Sequence, residues 1–376
     1  MLKKLLILLV VILILGAAAV LCSIAGVVPW FVTRSVQSTT SIDTYDAVQT
    51  ATSTLPATLV PAGVPATPVS SPTPVTEQLG PTPICFAPEE LIPFTFTPDA
   101  ASLLVRARSG VQIFDLVSGT QVAYIHSSQD VITAALSPDG QILAWSLADN
   151  TIQLLRISDQ EVLHTLSGPT EWVTKLRFSP DGNLLVSASH DHRVRVWNLQ
   201  GEELRSLQAG DVLGIGISPD GSTLATVPFD GPVTLWDLDT LEKIKDLGGY
   251  GGYDTSDAEF SPDGQYLAAD LASSLVLWRI TDASLMWHEV KNSMAMAFSP
   301  DGQYLAYSNI DAGNNVTLYS PDGSRVIRTL GRMQGPVWEL FFSSDSALLT
   351  ATDGNEIHIW RADDGTLLYI GKAACP

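Results

Sequence analysis

Across residues 85–376, short runs of alternating apolar and polar positions are broken by turns at a steady spacing. The clearest unit is Phe178–Trp197, FSPDGNLLVSASHDHRVRVW. Leu184 and Val186 share one face of the first run, and Val194 and Val196 share one face of the second. That period of two predicts adjacent antiparallel strands. The preceding Ser-Pro-Asp-Gly suits a type I turn: proline presets φ, aspartate bonds the local backbone, and glycine accepts the left-handed exit.

The turn recurs with its proline, or the residue in that place, at positions 98, 138, 180, 219, 262, 300 and 344. The steps are 40, 42, 39, 43, 38 and 44 residues, and the first and last copies are degenerate, FTPDA and FSSDS. A second landmark follows in each unit: Phe114, Leu155, Trp197, Trp236, Trp278, Tyr319 and Trp360. Two markers thus agree on seven units. One more SPDG, Ser320–Gly323, directly follows Tyr319 and is assigned to a different turn of its own unit.

A unit of this length with four short strands predicts a propeller blade rather than a helical solenoid. The fold class is therefore all-β: a seven-bladed β-propeller of four-stranded antiparallel blades. The residues resemble the WD40-repeat β-propeller family, with SPDGxxLA followed by VxLW, as in Val233–Asp237. The resemblance implies a bacterial-type propeller that binds proteins. The family's Gly-His dipeptide is missing from every unit, and the best-matching unit has Gly168-Pro169 instead. The His–Ser–Asp–Trp network that the family implies is therefore not expected here, although Asp191 and Trp197 occupy two of its positions. Each unit has its own fourth strand, from Gln121–Ile125 to Thr366–Ile370, so no strand is left to swap across the closing seam.

Asp and Glu outnumber Lys and Arg by 40 to 20. Residues 1–84 contribute nothing to the imbalance, since Lys3, Lys4 and Arg34 cancel Asp43, Asp46 and Glu77. An anionic propeller repels phosphate backbones, so nucleic acid is excluded as a partner. Residues 1–34 read as a membrane anchor: Leu5 to Val32 is a run of 28 residues without a charged side chain, long enough to span a bilayer as a transmembrane helix. Lys3 and Lys4 before it, against Arg34 after it, place the N-terminus in the cytoplasm and the propeller outside. A cleaved signal peptide and acylation at Cys22 are the rival readings, and both also export the propeller. Residues 35–84 contain 17 Ser/Thr, 8 Pro and three charged side chains, the composition of a disordered linker.

Cys85 precedes the first unit and Cys375 follows the last fourth strand, which brings both to the seam between blades seven and one. Export favours a Cys85–Cys375 disulfide, and two free thiols are the alternative. His190 and His192 flank Asp191 on a turn between second and third strands and are weak metal candidates, since other units have ordinary polar turns there. Asp311–Asn315 and Asp363–Gly365 are oxygen-rich but lack EF-hand spacing. No catalytic motif and no cofactor fingerprint is found, so no cofactor is expected.

Trp172 and Trp338 stand just ahead of innermost strands, outside the repeat's own aromatic positions. The equivalent connection into blade five carries Tyr250, Tyr253 and Asp254 among glycines. These five residues are the candidate protein-binding face. The expected function is a membrane-tethered, exported, non-catalytic interaction or scaffold module, monomeric in its propeller, with an unknown protein partner. A propeller hydrolase with its site at the channel mouth, or an envelope sensor or assembly factor, is the alternative.

Overall fold

The computed structural model describes residues 92–248, 257–271, 274–290, 295–309 and 313–372. They form twenty-eight strands in seven sheets of four, and each sheet is an antiparallel meander in sequence order. Blade one comprises Ile92–Phe96, Ser102–Ala107, Gly110–Asp115 and Gln121–His126. Blade seven comprises Glu339–Phe342, Leu348–Thr352, Glu356–Arg361 and Leu367–Lys372. The expected all-β, seven-bladed architecture is present, and every blade takes its fourth strand from its own stretch of chain. The Leu5–Val32 run, the 35–84 linker, Cys85 and Cys375 lie outside the described residues. Among the described residues no helix is long and apolar enough to cross a membrane.

The turn signal works as its residue types dictate. In FSPDG at Phe178–Gly182, the Gly182 N–H donates to the Ser179 carbonyl at 2.8 Å, and glycine takes φ +73°. The Ser179 hydroxyl donates to Asp181 at 2.6 Å, and the same oxygen accepts the Leu184 N–H at 2.9 Å. Asp181 also accepts the Asn183 N–H at 3.1 Å, so one turn satisfies the donors that would fray the next strand. The degenerate copies keep the geometry, with Ala100 and Ser346 forced to φ +54° and +62°. Ser320–Gly323 makes the same turn between the third and fourth strands of blade six, as its position after Tyr319 predicts.

What holds the ring is the packing between blades. Each of seven buried apolar clusters is shared by two neighbouring blades. Between blades two and three, Ala144, Ile152 and Leu154 meet Val173, Phe178 and Trp197. At the closing seam, Ile357 and Ile359 of blade seven meet Phe96, Leu103 and Phe114 of blade one. Phe96 and Phe341 add an edge-to-face pair there, with centroids 5.2 Å apart.

A second device repeats at the outer edge. In every blade the pairing of third and fourth strands skips one residue beside the landmark, which is aromatic in all but blade two, a β-bulge that bends the outer strand. In blade three, Trp197 faces Glu203 while Val196 faces Arg205, so Leu204 is the extra residue. In blade seven, Trp360 faces Leu367 while Ile359 faces Tyr369. A bulge twists an edge strand away from further pairing. Here it also aims the next paired side chain at the following blade's hairpin. Arg205 reaches Asp239 of blade four at 3.9 Å. Lys245 donates to the Asp282 carbonyl of blade five at 3.4 Å. Trp287 lies against Gly323 of blade six, where φ is +71° and a Cβ would sit 3.1 Å from the indole. Arg328 donates to the Asp363 carbonyl of blade seven at 3.1 Å. At the closing seam the Tyr369 hydroxyl donates to the Leu116 carbonyl of blade one. Blade seven is thus fastened to blade one as any blade is fastened to the next.

If so, the closing seam responds to mutation like an internal one. Tyr369→Phe should cost about 1 kcal/mol by loss of the hydrogen bond, and Tyr369→Ala about 2 kcal/mol or more. Trp287→Ala should destabilise by a comparable amount in urea unfolding of the full chain.

Candidate interaction face and central channel

In blades two to seven the residues one and three before the turn's apolar residue face the axis, because the residues between them, such as Leu176 and Ala258, pack into the seams. Blade three places Lys175 and Arg177 there, blade five Asp257 and Glu259, and blade seven Glu339 and Phe341. Blade six has Ala295 and Ala297, and blade four has Gly214 and Gly216. The small residues leave an axial cavity of about 570 Å³ with the charged groups in its wall.

Blade four offers no side chain at these positions, and blade three reaches past it. Lys175 Nζ and Arg177 lie 3.2 and 3.3 Å from Asp257 Oδ2, a clamp between blades that are not neighbours. Burial alone would lower the Lys175 ammonium, but the Asp257 and Glu339 carboxylates outweigh it and hold the pKa above its ordinary value. Burial pushes Asp257 up, and Lys175 and Arg177 more than reverse this, leaving it low. Glu259 accepts the Phe298 N–H at 3.1 Å, yet burial raises it to about 7. Burial also raises Glu339, against the pull of Lys175. The three clamp side chains keep 27–35% of their surface open to the lumen, so water screens the clamp and weakens it relative to a dry ion pair.

The disc face where innermost strands enter carries the predicted tryptophans. Trp172 directly precedes Val173–Phe178, is 57% exposed, and its carbonyl accepts the His190 N–H at 2.9 Å. Trp338 directly precedes Glu339–Phe342, is 39% exposed, lies over Gly354 and borders the channel cavity. The two share a face but not a patch, because blades one and two stand between them. Tyr250, Tyr253 and Asp254 lie outside the described residues. His190 pairs its Nδ1 with Asp211 at 2.7 Å, tying its turn to the connection into blade four, while His192 sits at φ +67° on the far side of the turn. Among the described residues no group of three or more His, Cys, Asp or Glu is arranged to hold a metal.

Two fragments of the network implied by the family resemblance persist without the histidine. Trp197 Nε1 donates to the Ser187 hydroxyl at 2.8 Å. Asp191 instead accepts the Thr170 N–H at 3.0 Å and pairs with Arg195 at 2.8 Å, which in turn donates to the Gly168 carbonyl at 3.1 Å. Arg195 replaces the missing histidine as the tie between the turn and the incoming loop.

The model of the WD domain, G-beta repeat family matches residues 160–198, which is the fourth strand of blade two followed by the first three strands of blade three. The chain carries a WD40 repeat. The chain is also similar to apoptotic protease-activating factor 1 of Rattus norvegicus, 26% identical over 71% of this chain and 18% of that protein. A WD repeat-containing protein of Synechocystis is 37% identical over 27% of this chain and 30% of its own length. The COMPASS component SWD3 of Saccharomyces cerevisiae is 28% identical over 30% of this chain and 36% of its own length. The chain therefore matches well under two thirds of each relative.

The clamp predicts a pH response of definite sign. Asp257 contributes stability at neutral pH that is lost as pH falls through its depressed pKa. Glu259 acts oppositely: the folded state holds its proton more tightly, so its contribution declines as pH rises from about 4.5 to about 7. Asp257→Asn should cost about 1–2 kcal/mol at pH 7, discounted from a dry pair. Glu259→Gln should be more stable than wild type at pH 8 by about 1 kcal/mol and equal to it near pH 4, as read by urea unfolding.

Proposed function

We propose that this protein is a membrane-tethered, exported WD40 propeller that captures a protein partner and performs no chemistry of its own. The observation that carries the reading is the pair of exposed tryptophans, Trp172 and Trp338, held at strand entrances on a rigid ring. Aromatic anchors on a preorganised surface bind at low ordering cost. The uncharged run Leu5–Val32, with Lys3 and Lys4 ahead of it, supports the tether and its orientation. A Cys85–Cys375 disulfide belongs to the same reading, since an exported domain meets an oxidising compartment.

A hydrolase at the channel mouth is the second reading, favoured by Glu259, whose carboxyl near 7 beside Arg177 has the character of a general acid or base. One set of variants separates the two. Crosslinking on intact cells with the full chain should recover a partner that Trp172→Ala and Trp338→Ala lose by tenfold or more and that Glu259→Gln retains. Retention by both tryptophan variants sinks the binding face. Protease shaving that spares the propeller while a surface control is digested counts against exposure at the cell surface. Cys85 and Cys375 both alkylating without reductant rules out the disulfide.

A further inference from the structure

The two faces of the disc differ in charge. The connections from first to second strand and from third to fourth strand all emerge on the face opposite Trp172. Together they contain sixteen Asp or Glu and a single Lys or Arg, Arg325. On the tryptophan face, the described connections hold seven carboxylates and one cation, Arg108. Strand-end arginines neutralise part of the acidic face: Arg156 pairs with Asp159 and Glu161, Arg279 with Asp282, Arg361 with Asp364, and Arg205 with Asp239. Among the described residues no Lys or Arg pairs with the seven aspartates of the repeated turns. Their hydrogen bonds are to their own turns, as at Asp181 and Asp220, which both lie below the ordinary carboxylate range because serine hydroxyls and backbone N–H groups donate to them.

The rim of that same face is apolar. Every blade exposes one large aliphatic where its fourth strand leaves the hairpin, at or beside the bulge, from Leu367 at 41% to Val122 and Leu285 at 59%. Leu204, Ile244 and Val326 repeat the pattern. The position repeats to within one residue: Val122, Leu204 and Ile244 are the extra residues of their bulges, and Val162, Leu285, Val326 and Leu367 pair with the landmark one place earlier, so seven apolar side chains ring this edge of the disc.

We infer that the acidic face is a second docking surface, and that it takes a Lys/Arg-rich polypeptide segment whose aliphatic side chains seat on the rim. Charge complementarity selects the partner: the turn aspartates attract cations over the whole disc, and the aliphatics supply contacts that bulk charge cannot. This rests on the protein-interaction reading above but uses the opposite face, so the two can fail separately.

The test uses the full chain and two defined probes, an amphipathic Leu/Lys peptide and its Leu/Glu counterpart, titrated by fluorescence anisotropy. The Leu/Lys peptide should bind and weaken about tenfold between about 50 and about 200 mM salt, while the Leu/Glu peptide should not bind. A charge variant (Glu202→Gln, Glu242→Gln, Asp363→Asn) and a rim variant (Leu204→Thr, Ile244→Thr, Val326→Thr) should each weaken binding at least fivefold. All six positions are exposed, and unchanged circular dichroism confirms folding. Trp172→Ala with Trp338→Ala should leave the affinity unchanged. Equal binding of both peptides, insensitivity to the rim variant, or loss with the tryptophan variant overturns the proposal. Retained peptide binding with failed partner capture at Trp172 and Trp338 would overturn only the earlier reading.

Discussion

A four-stranded blade has two apolar sides and no interior of its own. Val186 and Val196 can leave water only against Val212 and Ile215 of the next blade, and Trp197 only against Leu154 and Leu166 of the previous one. Burial of such side chains contributes about 1.5–3 kcal/mol each, but only when the neighbour is present. Every seam therefore depends on the next, and the chain gains its stability by closing the circle. The bulged outer strands add a directional element, turning one side chain per blade onto the hairpin ahead. Tyr369 does for blades seven and one what Arg205 does for blades three and four. Closure needs no exchanged strand because the last wedge is fastened as the others are.

That rigidity bears on function. A ring whose stability lies in its seams can vary its loops and surface freely, and this chain has done so unevenly. The channel holds a clamp from blade three to blade five across two glycines. One face carries isolated tryptophans, and the other carries an acidic field with an apolar edge. Non-neighbouring blades joined through the axis resist shear of the disc, which keeps whatever is displayed on either face in fixed register.

Much of this was legible in the sequence. The FSPDG spacing and the Phe114-to-Trp360 landmarks gave the blade count, and the place of Ser320–Gly323 was predicted from its position directly after Tyr319. The positions of Trp172, Trp338 and the His190 turn followed from the same register. The channel clamp was not seen, although Lys175, Arg177, Asp257 and Glu259 sit at fixed offsets before their turns and could be aligned on the axis. Its pairing skips a blade, and no local pattern announces a contact between residues 82 positions apart. The bulges were equally hidden, because one extra residue in a fourth strand looks like ordinary variation in loop length. Arg195 standing in for a histidine could not be read either, since it depends on the carbonyl of Gly168 turning inward.

Amide hydrogen exchange on the full chain, resolved by mass spectrometry, tests the closed ring most directly. Leu367–Lys372 and Ile92–Phe96, the strands on either side of the closing seam, should exchange as slowly as their counterparts Glu203–Gln208 and Val173–Phe178 in blade three. Fast exchange confined to the first and last blades, with the middle five protected, would show an open arc and contradict the account.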